Sequence, residues 1–203
     1  MCRQLIAILL PLCILACSDR DQEQSGSILP PDVQLKVGDV VFRRGSGFTS
    51  HAVLIAERGG AYSHTGIIVD SAGVLMVVHA VPGEPDYEGD EDRVKMEPVA
   101  AFFDHMRALQ GAVYRHTDST AAQRAAVCAR GIYQRRTLFD HDYDDADTTR
   151  MYCTELVVHA FRQAQAPLSG IRRHHLHLVG FESDCILPSD LLHHQELKRI
   201  ATF

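Results

Sequence analysis

The sequence predicts an α+β domain in which helices pack on an antiparallel sheet or small barrel. Two adjacent segments, residues 62–70 and 74–81, have high β-propensity and flank a short turn sequence, which is typical of a β-hairpin. Apolar residues recur at helical spacing after Thr120 and again from Cys153, which indicates two amphipathic helices. A chain of 203 residues is long enough for one domain with a sizeable core.

Cys153 opens the second of these helices. From there, the apolar residues follow the i, i+3, i+4, i+7, i+8 stripe of a helix with one buried face: Cys153, Leu156, Val157, Ala160 and Phe161. Residues 147–149 (Asp-Thr-Thr) are of the types that accept hydrogen bonds at a helix start. Cys153 should therefore lie in the first turn, beside free N–H donors and the positive end of the helix dipole. That position lowers a thiol pKa from about 8.5. The helix alone nevertheless favours a buried structural cysteine, which is a frequent fate of a free cysteine.

The predicted hairpin carries two histidines. If residues 70–73 form a four-residue loop, Val69 faces Val74, and His64 falls directly opposite His79. Directly opposed residues share a face of the sheet, with Cβ atoms about 4.5–5.5 Å apart. A three-residue loop without a bulge would put the two histidines on opposite faces. Two imidazoles at matching positions in apolar strands favour a functional pair over two unrelated strand residues.

The N-terminus predicts a lipoprotein signal peptide over residues 1–16. A single positive charge precedes an apolar run at residues 5–15, and the small Ala16 stands before Cys17. Cys17 would then carry lipid, residues 17–34 would form a polar tether, and residues 35–203 the folded domain. The expected location is the bacterial cell envelope, lipid-anchored on the periplasmic side. A secreted or soluble periplasmic protein, or one held by a short membrane anchor, is the alternative.

Charge and cysteine content narrow the possible partners. The net charge of −6 and the lack of a basic block argue against nucleic acid. Two of the six cysteines leave with the signal peptide and one is lipidated, so Cys128, Cys153 and Cys185 remain. Because three is odd, at least one thiol stays free or pairs with another chain in an oxidising compartment. Cys128 and Cys185 could form a disulfide that leaves Cys153 free.

Shorter elements are expected around these segments. Strands are predicted at residues 36–43, 94–96 and 112–115, and helices at residues 48–57 and 98–107. Thr120 and Gln123 fit a capping box for the helix that follows. The acidic residues of loop 82–93 are typical of a solvated surface. Histidines cluster between residues 174 and 194, but no Cys or carboxylate spacing completes a zinc signature, so we expect no metal and no other cofactor.

Together, the thiol and the two imidazoles predict an acyl-transfer site. A thiol at a helix start, an imidazole on a strand and a third group that orients the imidazole are the parts that nucleophilic catalysis needs. His64 would take the proton of Cys153 and later give it to the leaving amine, and His79 would fix the tautomer of His64. The backbone N–H of Cys153 would stabilise the oxyanion. The second oxyanion donor is not identifiable from the sequence; Tyr62, two residues before His64, is a candidate.

Three motifs resemble, in order and spacing, the YiiX-like family. They are residues 37–42 (Val-Gly-Asp-Val-Val-Phe), 62–67 (Tyr-Ser-His-Thr-Gly-Ile) and 152–157 (Tyr-Cys-Thr-Glu-Leu-Val), and the resemblance covers about residues 35–190. The family consists of circularly permuted papain-fold cysteine hydrolases of the NlpC cell-wall peptidase superfamily. The resemblance implies a papain-like fold, Cys153 as nucleophile and His64 as base. The family more often has Glu near position 79, whereas a histidine as in this chain is familiar in the wider superfamily.

We therefore expect a lipid-tethered envelope hydrolase that cleaves amide bonds in peptides or in the peptide stems of peptidoglycan. Its expected partners are that substrate and, through the lipidated N-terminus, the membrane. Related permuted papain-like proteins of the lecithin:retinol acyltransferase type move fatty acyl chains. A lipid acyltransferase or phospholipase with the same triad is therefore one alternative, and a non-catalytic binding lipoprotein is another.

Overall fold

The computed structural model describes residues 26–85, 87–144, 147–178 and 181–203. The predicted signal peptide, Cys17 and the first part of the tether lie outside the described residues. The elements run in the order β1 (Val40–Gly45), α1 (Phe48–Ala56), β2 (His64–Ser71), β3 (Val74–Val81), β4 (Arg93–Pro98), α2 (Val99–Phe102), β5 (Ala108–His116), α3 (Ser119–Gln134), β6 (Leu138–Phe139), β7 (Arg150–Met151), α4 (Cys153–Gln163), β8 (His174–Leu178), β9 (Phe181–Cys185), α5 (Pro188–Leu192) and β10 (Leu197–Thr202).

One sheet organises the molecule. Its strands lie in the order β10-β5-β1-β2-β3-β4-β6-β7, and all neighbouring pairs are antiparallel except β6 with β7. The sheet curls into a half-barrel, and β8 with β9 forms a separate hairpin. The predicted α+β architecture, with helices on an antiparallel sheet, is confirmed.

Helices α3 and α4 cover one face of the sheet. Along β1, Val40 and Phe42 point into the core cluster that these helices complete, whereas Val41 points to the opposite face. The predicted apolar stripe of α4 is confirmed beyond Cys153, since four of its residues are fully buried: Leu156, Val157, Ala160 and Phe161. The opposite face of the sheet packs against Phe102 and Phe103.

The β2–β3 turn differs from the predicted loop. Ser71 pairs with Val74, so the turn has only two residues, Ala72 and Gly73, with φ of 55° and 83°. Two consecutive positive φ values are typical of the type I′ turn that matches strand twist. The predicted four-residue loop is therefore wrong, and the register that pairs Ile67 with Val78 shifts by two residues. A shift of two keeps every side chain on its predicted face.

Several local predictions need correction. The helix expected at residues 98–107 is limited to α2. The carboxylate of Asp118, rather than a capping box at Thr120, accepts the first N–H groups of α3. The N-cap of α4 is Tyr152 and not a residue of 147–149. The Cys128–Cys185 disulfide is not formed, because both cysteines are free. Within the described residues, no helix has the length and apolar character needed to span a membrane.

Candidate active site

Cys153 and His64 meet at one cavity, although 89 positions separate them in the sequence. The cavity, of about 370 Å³, lies where the N-terminus of α4 reaches the start of β2, and both residues line it. The backbone N–H of Thr65, the residue after His64, lies near enough to the Cys153 sulfur to lower the pKa of the thiol. The structure thus brings the predicted nucleophile and the predicted base to the same place.

The first turn of α4 is held firmly to the rest of the domain. The hydroxyl of Thr154 donates to the Ile186 carbonyl over 2.6 Å, and the hydroxyl of Tyr152 accepts from the Ile186 N–H over 3.0 Å. The carboxylate of Glu155 accepts from the backbone N–H of Tyr152 over 3.3 Å. These contacts explain why Tyr, Thr and Glu surround the cysteine in the motif. They fix the position of the Cys153 thiol at the edge of the cavity.

A chain of three side chains runs across β2, β3 and β4. His64 Nε2 lies 2.8 Å from His79 Nδ1, and His79 Nε2 lies 3.1 Å from Glu97 Oε1, an ion-pair distance at which the ring N–H is not aligned for a good hydrogen bond. Continuing the β2–β3 register beyond its last pair, Ile67 with Val78, sets His79 across from Gly66, so each contact runs diagonally between neighbouring strands. Diagonal cross-strand neighbours are within reach of long and aromatic side chains. The pairing of His64 Nε2 leaves its Nδ1 as the ring nitrogen for the thiol proton.

Phe102 and Arg43 enclose this chain. The Phe102 ring is fully buried and packs against both imidazoles, with ring centroids 5.7 Å from His64 and 5.3 Å from His79. The Arg43 guanidinium lies over the same ring at 4.9 Å and donates to the Phe102 carbonyl over 3.0 Å. Arg43 pairs with His64 in the β1–β2 register, so a buried cation stands directly beside the imidazole.

Carboxylates balance this cation. Glu84 accepts from Arg43 over 2.6 Å and from Arg107 over 3.2 Å, and Arg107 also reaches Glu97 over 3.0 Å. Glu84 belongs to the acidic loop that the sequence predicted to be a solvated surface feature, and it lines the cavity instead. That interpretation is therefore wrong for Glu84, because the buried Arg43 needs a carboxylate partner.

Burial sets the protonation states of the imidazoles and the carboxylate. Burial lowers the pKa of His64 well below 6.5, and the positive charge of Arg43 lowers it further. Burial also lowers the pKa of His79, while Glu97 acts against that shift. Burial alone would raise the pKa of Glu97, but the close contact with His79 and the positive charges of Arg43 and Arg107 outweigh burial and hold the pKa at about 2. At neutral pH, His64 is therefore a neutral base and Glu97 an anion.

The pKa of Cys153 moves against the expectation from the helix start. Burial raises it to about 11, although backbone N–H groups of Thr65, Thr154 and Cys153 itself and the charge of Arg43 all oppose the rise. The predicted thiolate is therefore not the resting form. Desolvation of the sulfur outweighs the donors and the helix dipole, so Cys153 is a neutral thiol and His64 a neutral imidazole at neutral pH.

The two predicted oxyanion donors have different surroundings. Cys153 is the first residue of α4, where backbone N–H groups have no partner within the helix. Tyr62 instead packs on Phe42 in the core, with ring centroids 5.9 Å apart, and its hydroxyl donates to the Gly111 carbonyl over 3.5 Å. Tyr62 is not among the residues that line the cavity. Its position does not favour a role in the site.

A second, apolar cavity of about 220 Å³ adjoins Cys153 on its other side. Its walls come from α1, from the loop before α4 and from the start of α5, with mainly apolar side chains: Ala52, Val53, Ala56, Tyr143, Leu187 and Pro188. Cys185 also lines it. Cys153 and Val53 line both cavities, so the cysteine stands between a polar and an apolar half of one cleft.

Sequence reasoning missed Arg43, Glu97 and Phe102. A signal existed for Glu97, since Arg93, Lys95 and Glu97 alternate with apolar residues in β4, and Lys95 pairs with His79. The sequence does not reveal that pairing, because a long loop separates β3 from β4. Arg43 follows three apolar residues of β1, and nothing in the sequence indicates that its charged side chain is buried.

Comparisons with known proteins agree with this architecture. A family model described as a permuted papain-like amidase enzyme of the YaeF/YiiX, C92 family matches residues 34–201. No curated protein shows a significant match to the chain. The crystal structure of the metalloprotein YiiX from Escherichia coli O157:H7 is similar with a TM-score of 0.66 at 18% sequence identity, and the match covers 84% of this chain and 98% of that chain.

The Escherichia coli neighbour is described as a metalloprotein, whereas the described residues of this chain do not fit a metal. Within the described ranges, no group of three or more His, Cys, Asp or Glu side chains could hold a metal ion. The polar groups beside Cys153 are engaged with one another, since His79 lies between His64 and Glu97, and Glu97 is paired with Arg107.

Proposed function

Because this chain belongs to the C92 family of permuted papain-like amidases, we propose that it is a cysteine hydrolase of the cell envelope. It cleaves amide bonds in peptides or in the peptide stems of peptidoglycan through a thioester on Cys153. Family membership makes the chain an amidase-type hydrolase with a papain-like fold. The nucleophile, the roles of the histidines, the substrate and the location are the proposed part.

One observation carries the proposal: the chain of contacts from His64 through His79 to Glu97 ends at the cavity that Cys153 lines. A nucleophile, a base and groups that orient the base are what acyl transfer needs. Three buried polar side chains aligned across three strands are costly for a purely structural sheet, because each must be desolvated. A catalytic use explains why they stand there.

The reaction begins with a neutral thiol. His64 accepts the Cys153 proton at Nδ1 as the sulfur attacks the carbonyl carbon of the scissile amide, and the backbone N–H of Cys153 donates to the oxyanion that forms. His64, now protonated, gives that proton to the leaving amine as the carbon–nitrogen bond breaks and the thioester remains. Water then attacks the thioester while His64 takes its proton, and the proton returns to the sulfur as the carboxylic acid leaves.

His79 and Glu97 support the proton transfers. The charge that His64 gains during attack is otherwise unfavourable beside the Arg43 cation, since burial and Arg43 both lower the pKa of His64. The Glu97 carboxylate stabilises that charge through His79. The contact with His79 also determines which nitrogen of His64 carries hydrogen. Arg43 is in turn paired with Glu84, so its own charge is partly balanced.

The proposed location and partners come from the N-terminus. A signal peptide over residues 1–16 and a lipidated Cys17 would tether the enzyme to a membrane on the periplasmic side, where peptide or peptidoglycan substrate is available. The length of the tether would then set how far from the membrane the domain can act.

The apolar cavity favours a second candidate function. A fatty acyl group would bury its methylene chain against Val53, Leu187 and Pro188, beside the sulfur that would carry it. A lipid acyltransferase or phospholipase would use the same nucleophile and base, and would differ in the group that it transfers.

Product analysis separates these functions. The purified full chain is incubated in parallel with peptidoglycan, a peptide library and phospholipid vesicles, and the products are identified by mass spectrometry. The Cys153→Ala variant is the matched control for each incubation. New amine and carboxylate ends in muropeptides or peptides support the proposal, and free fatty acid or transferred acyl chains support the second candidate. If none of the incubations gives a product that depends on Cys153, both catalytic functions are excluded and the non-catalytic binding lipoprotein is supported.

A further inference from the structure

Helix α1 presents an exposed apolar stripe at the mouth of the cleft. Phe48 and Ile55 lie seven residues apart, which places them on the same face of the helix about 10 Å apart. Phe48 is 91% exposed and Ile55 is 73% exposed, and Ala52 lies exposed between them. The helix has no acidic residue in its first turn and no basic residue in its last, and Leu54 is its one buried residue. His51 is exposed on the same face, and its Nδ1 lies 2.9 Å from the Gly47 carbonyl oxygen. A surface helix with large exposed apolar side chains marks an interaction surface.

Met106 extends this apolar surface across the cavity. It is 72% exposed, and Phe48 and Met106 both line the opening of the polar cavity. The hydroxyl of Ser46, just before α1, donates to the Met106 carbonyl over 2.9 Å, so the two sides of the opening are joined. We call Phe48, Ala52, Ile55 and Met106 the apolar rim.

The N-terminal end of the described chain lies at the same edge. The backbone N–H of His105 donates to the Gly26 carbonyl over 2.7 Å, and Ser27 forms an antiparallel bridge with Asp104. Gly26 therefore contacts His105, the residue that precedes the rim residue Met106. Gly26 is nine positions after Cys17 in the sequence, and nine residues span at most about 30 Å. A membrane that holds Cys17 would therefore lie close to the apolar rim.

We propose that the apolar rim docks on the phospholipid bilayer, so that the cleft opens toward the membrane surface. Aromatic and aliphatic side chains of a short helix enter the interface between headgroups and acyl chains. One nine-residue helix is too small to bind strongly alone, and the tether supplies the local concentration that makes the contact persist. Because α1 carries no lysine or arginine, the contact depends on apolar burial and little on lipid charge or salt.

The inference takes the membrane from the proposed location, but its test needs no catalysis. The chain contains no tryptophan, so a single introduced tryptophan reports its own surroundings. Phe48→Trp and Ile55→Trp probe the rim, and Val127→Trp, at a position 72% exposed on α3, is the matched control. Each full-length variant is reconstituted into phosphatidylcholine vesicles with or without brominated acyl chains, and thermal melting checks its fold.

We expect the emission of both rim tryptophans to shift to shorter wavelength in vesicles and to lose at least half its intensity with brominated lipid, at low and at high salt. Val127→Trp should keep the emission of a water-exposed tryptophan. Rim tryptophans that brominated lipid leaves unquenched, or quenches no more than the control, would overturn the proposal. A blue shift that grows with protein concentration without lipid would also overturn it, because a second copy of the chain would then cover the rim.

Discussion

His64 and His79 are joined through Nε2 and Nδ1 at 2.8 Å, although the strand register, continued from the pair Ile67–Val78, sets His79 across from Gly66. The diagonal arrangement has a consequence for both rings. The second nitrogen of His79 is left beside Glu97 at 3.1 Å, so its tautomer is set from the outer side. His64 keeps Nδ1 for the cavity that it shares with Cys153. The contacts from Glu97 through His79 to His64 therefore determine which ring nitrogen of each histidine carries hydrogen.

Substitutions along this chain should have graded effects on hydrolysis. We expect Cys153→Ala and His64→Ala to reduce the rate by about 10⁴-fold or more, because no other group replaces the nucleophile or the base. His79→Ala should leave a weak remnant, about 10²- to 10³-fold below the wild type, since an orienting group supports the reaction without entering it. Rates are measured on the substrate found by product analysis.

Cys128→Ala is the matched control, because Cys128 is a free cysteine on α3, away from the residues that line the two halves of the cleft. It should keep wild-type activity and a similar melting temperature. Full activity in the His79 variant would show that His79 takes no part in the mechanism. Activity in the Cys153 variant would show that the reaction does not pass through a thioester on Cys153.

The buried carboxylate should make stability depend on pH. The folded protein holds the pKa of Glu97 at about 2, below its ordinary 4.5, so ionised Glu97 stabilises the fold above pH 4.5. That contribution, roughly 3 kcal/mol, is lost as the pH falls from about 4.5 toward 2. Glu97→Gln cannot titrate, so the difference in unfolding free energy between wild type and variant should be largest near pH 6 and shrink at pH 3.

Urea unfolding at several pH values measures this difference. Glu91→Gln, at an exposed position in the loop before β4, is the control and should show a pH-independent difference of less than about 0.5 kcal/mol. A Glu97→Gln difference of the same size at pH 3 and at pH 6 would mean that the carboxylate is not stabilised by His79, Arg43 and Arg107.

Periodicity was sufficient to predict the elements that hold the histidines and the cysteine. The β2–β3 hairpin and the buried stripe of α4 are local patterns, so the sequence carries them directly. The turn length was predicted incorrectly because Ala72 adopts a positive φ, and alanine is not a residue type that indicates such a φ. The prediction that His64 and His79 share a face of the sheet is nevertheless confirmed, because an error of two residues in register does not change the face.

Contacts between distant segments could not be predicted in the same way. Glu97 reaches His79 only because β4 pairs with β3 across a long loop, and Arg43 is buried only because Phe102 and Glu84 close over it. The pKa of Cys153 was also beyond the sequence. The helix start favours a thiolate, and only the packing of the folded cleft reveals how strongly the sulfur is desolvated.

The raised pKa of Cys153 predicts a steep pH dependence of alkylation. With a thiol pKa of about 11, the thiolate fraction grows about tenfold for each pH unit from 7 to 10, and the rate of labelling by iodoacetamide should follow it. Peptide-level mass spectrometry resolves Cys153 from Cys185, whose pKa burial also raises to about 11. Slow labelling of Cys153 at pH 7 is therefore expected of the resting enzyme and does not indicate a non-catalytic binding lipoprotein.

A stable thiolate–imidazolium pair would behave differently. It would give a labelling rate that is already high below pH 7 and nearly constant between pH 7 and 9, and such a plateau would contradict the neutral resting state. His64→Ala distinguishes the two cases further, because loss of a neutral imidazole should leave the steep profile in place, whereas loss of an imidazolium would abolish the plateau.

The close approach of β2 and β3 at Gly66 should make that glycine necessary for the site. A Cβ atom at Gly66 would lie 2.6 Å from Val77 Cγ1, 2.9 Å from the Val78 carbonyl oxygen and 3.1 Å from His79 Cβ. Because two of these neighbours belong to the backbone or the core, they have little room to move. We expect Gly66→Ala to destabilise the protein by about 1–3 kcal/mol and to lower activity by displacing His79 from His64.

Gly131→Ala is the matched control, since its Cβ would lie 3.7 Å from its nearest neighbour, an Arg135 side-chain nitrogen, within α3. Alanine in a helix interior should stabilise the protein by about 0.5–1 kcal/mol and leave activity unchanged. Urea unfolding and steady-state rates are measured for both variants. A Gly66→Ala protein as stable and as active as Gly131→Ala would show that the strands separate at no cost, and that the contact between His64 and His79 does not depend on their close packing.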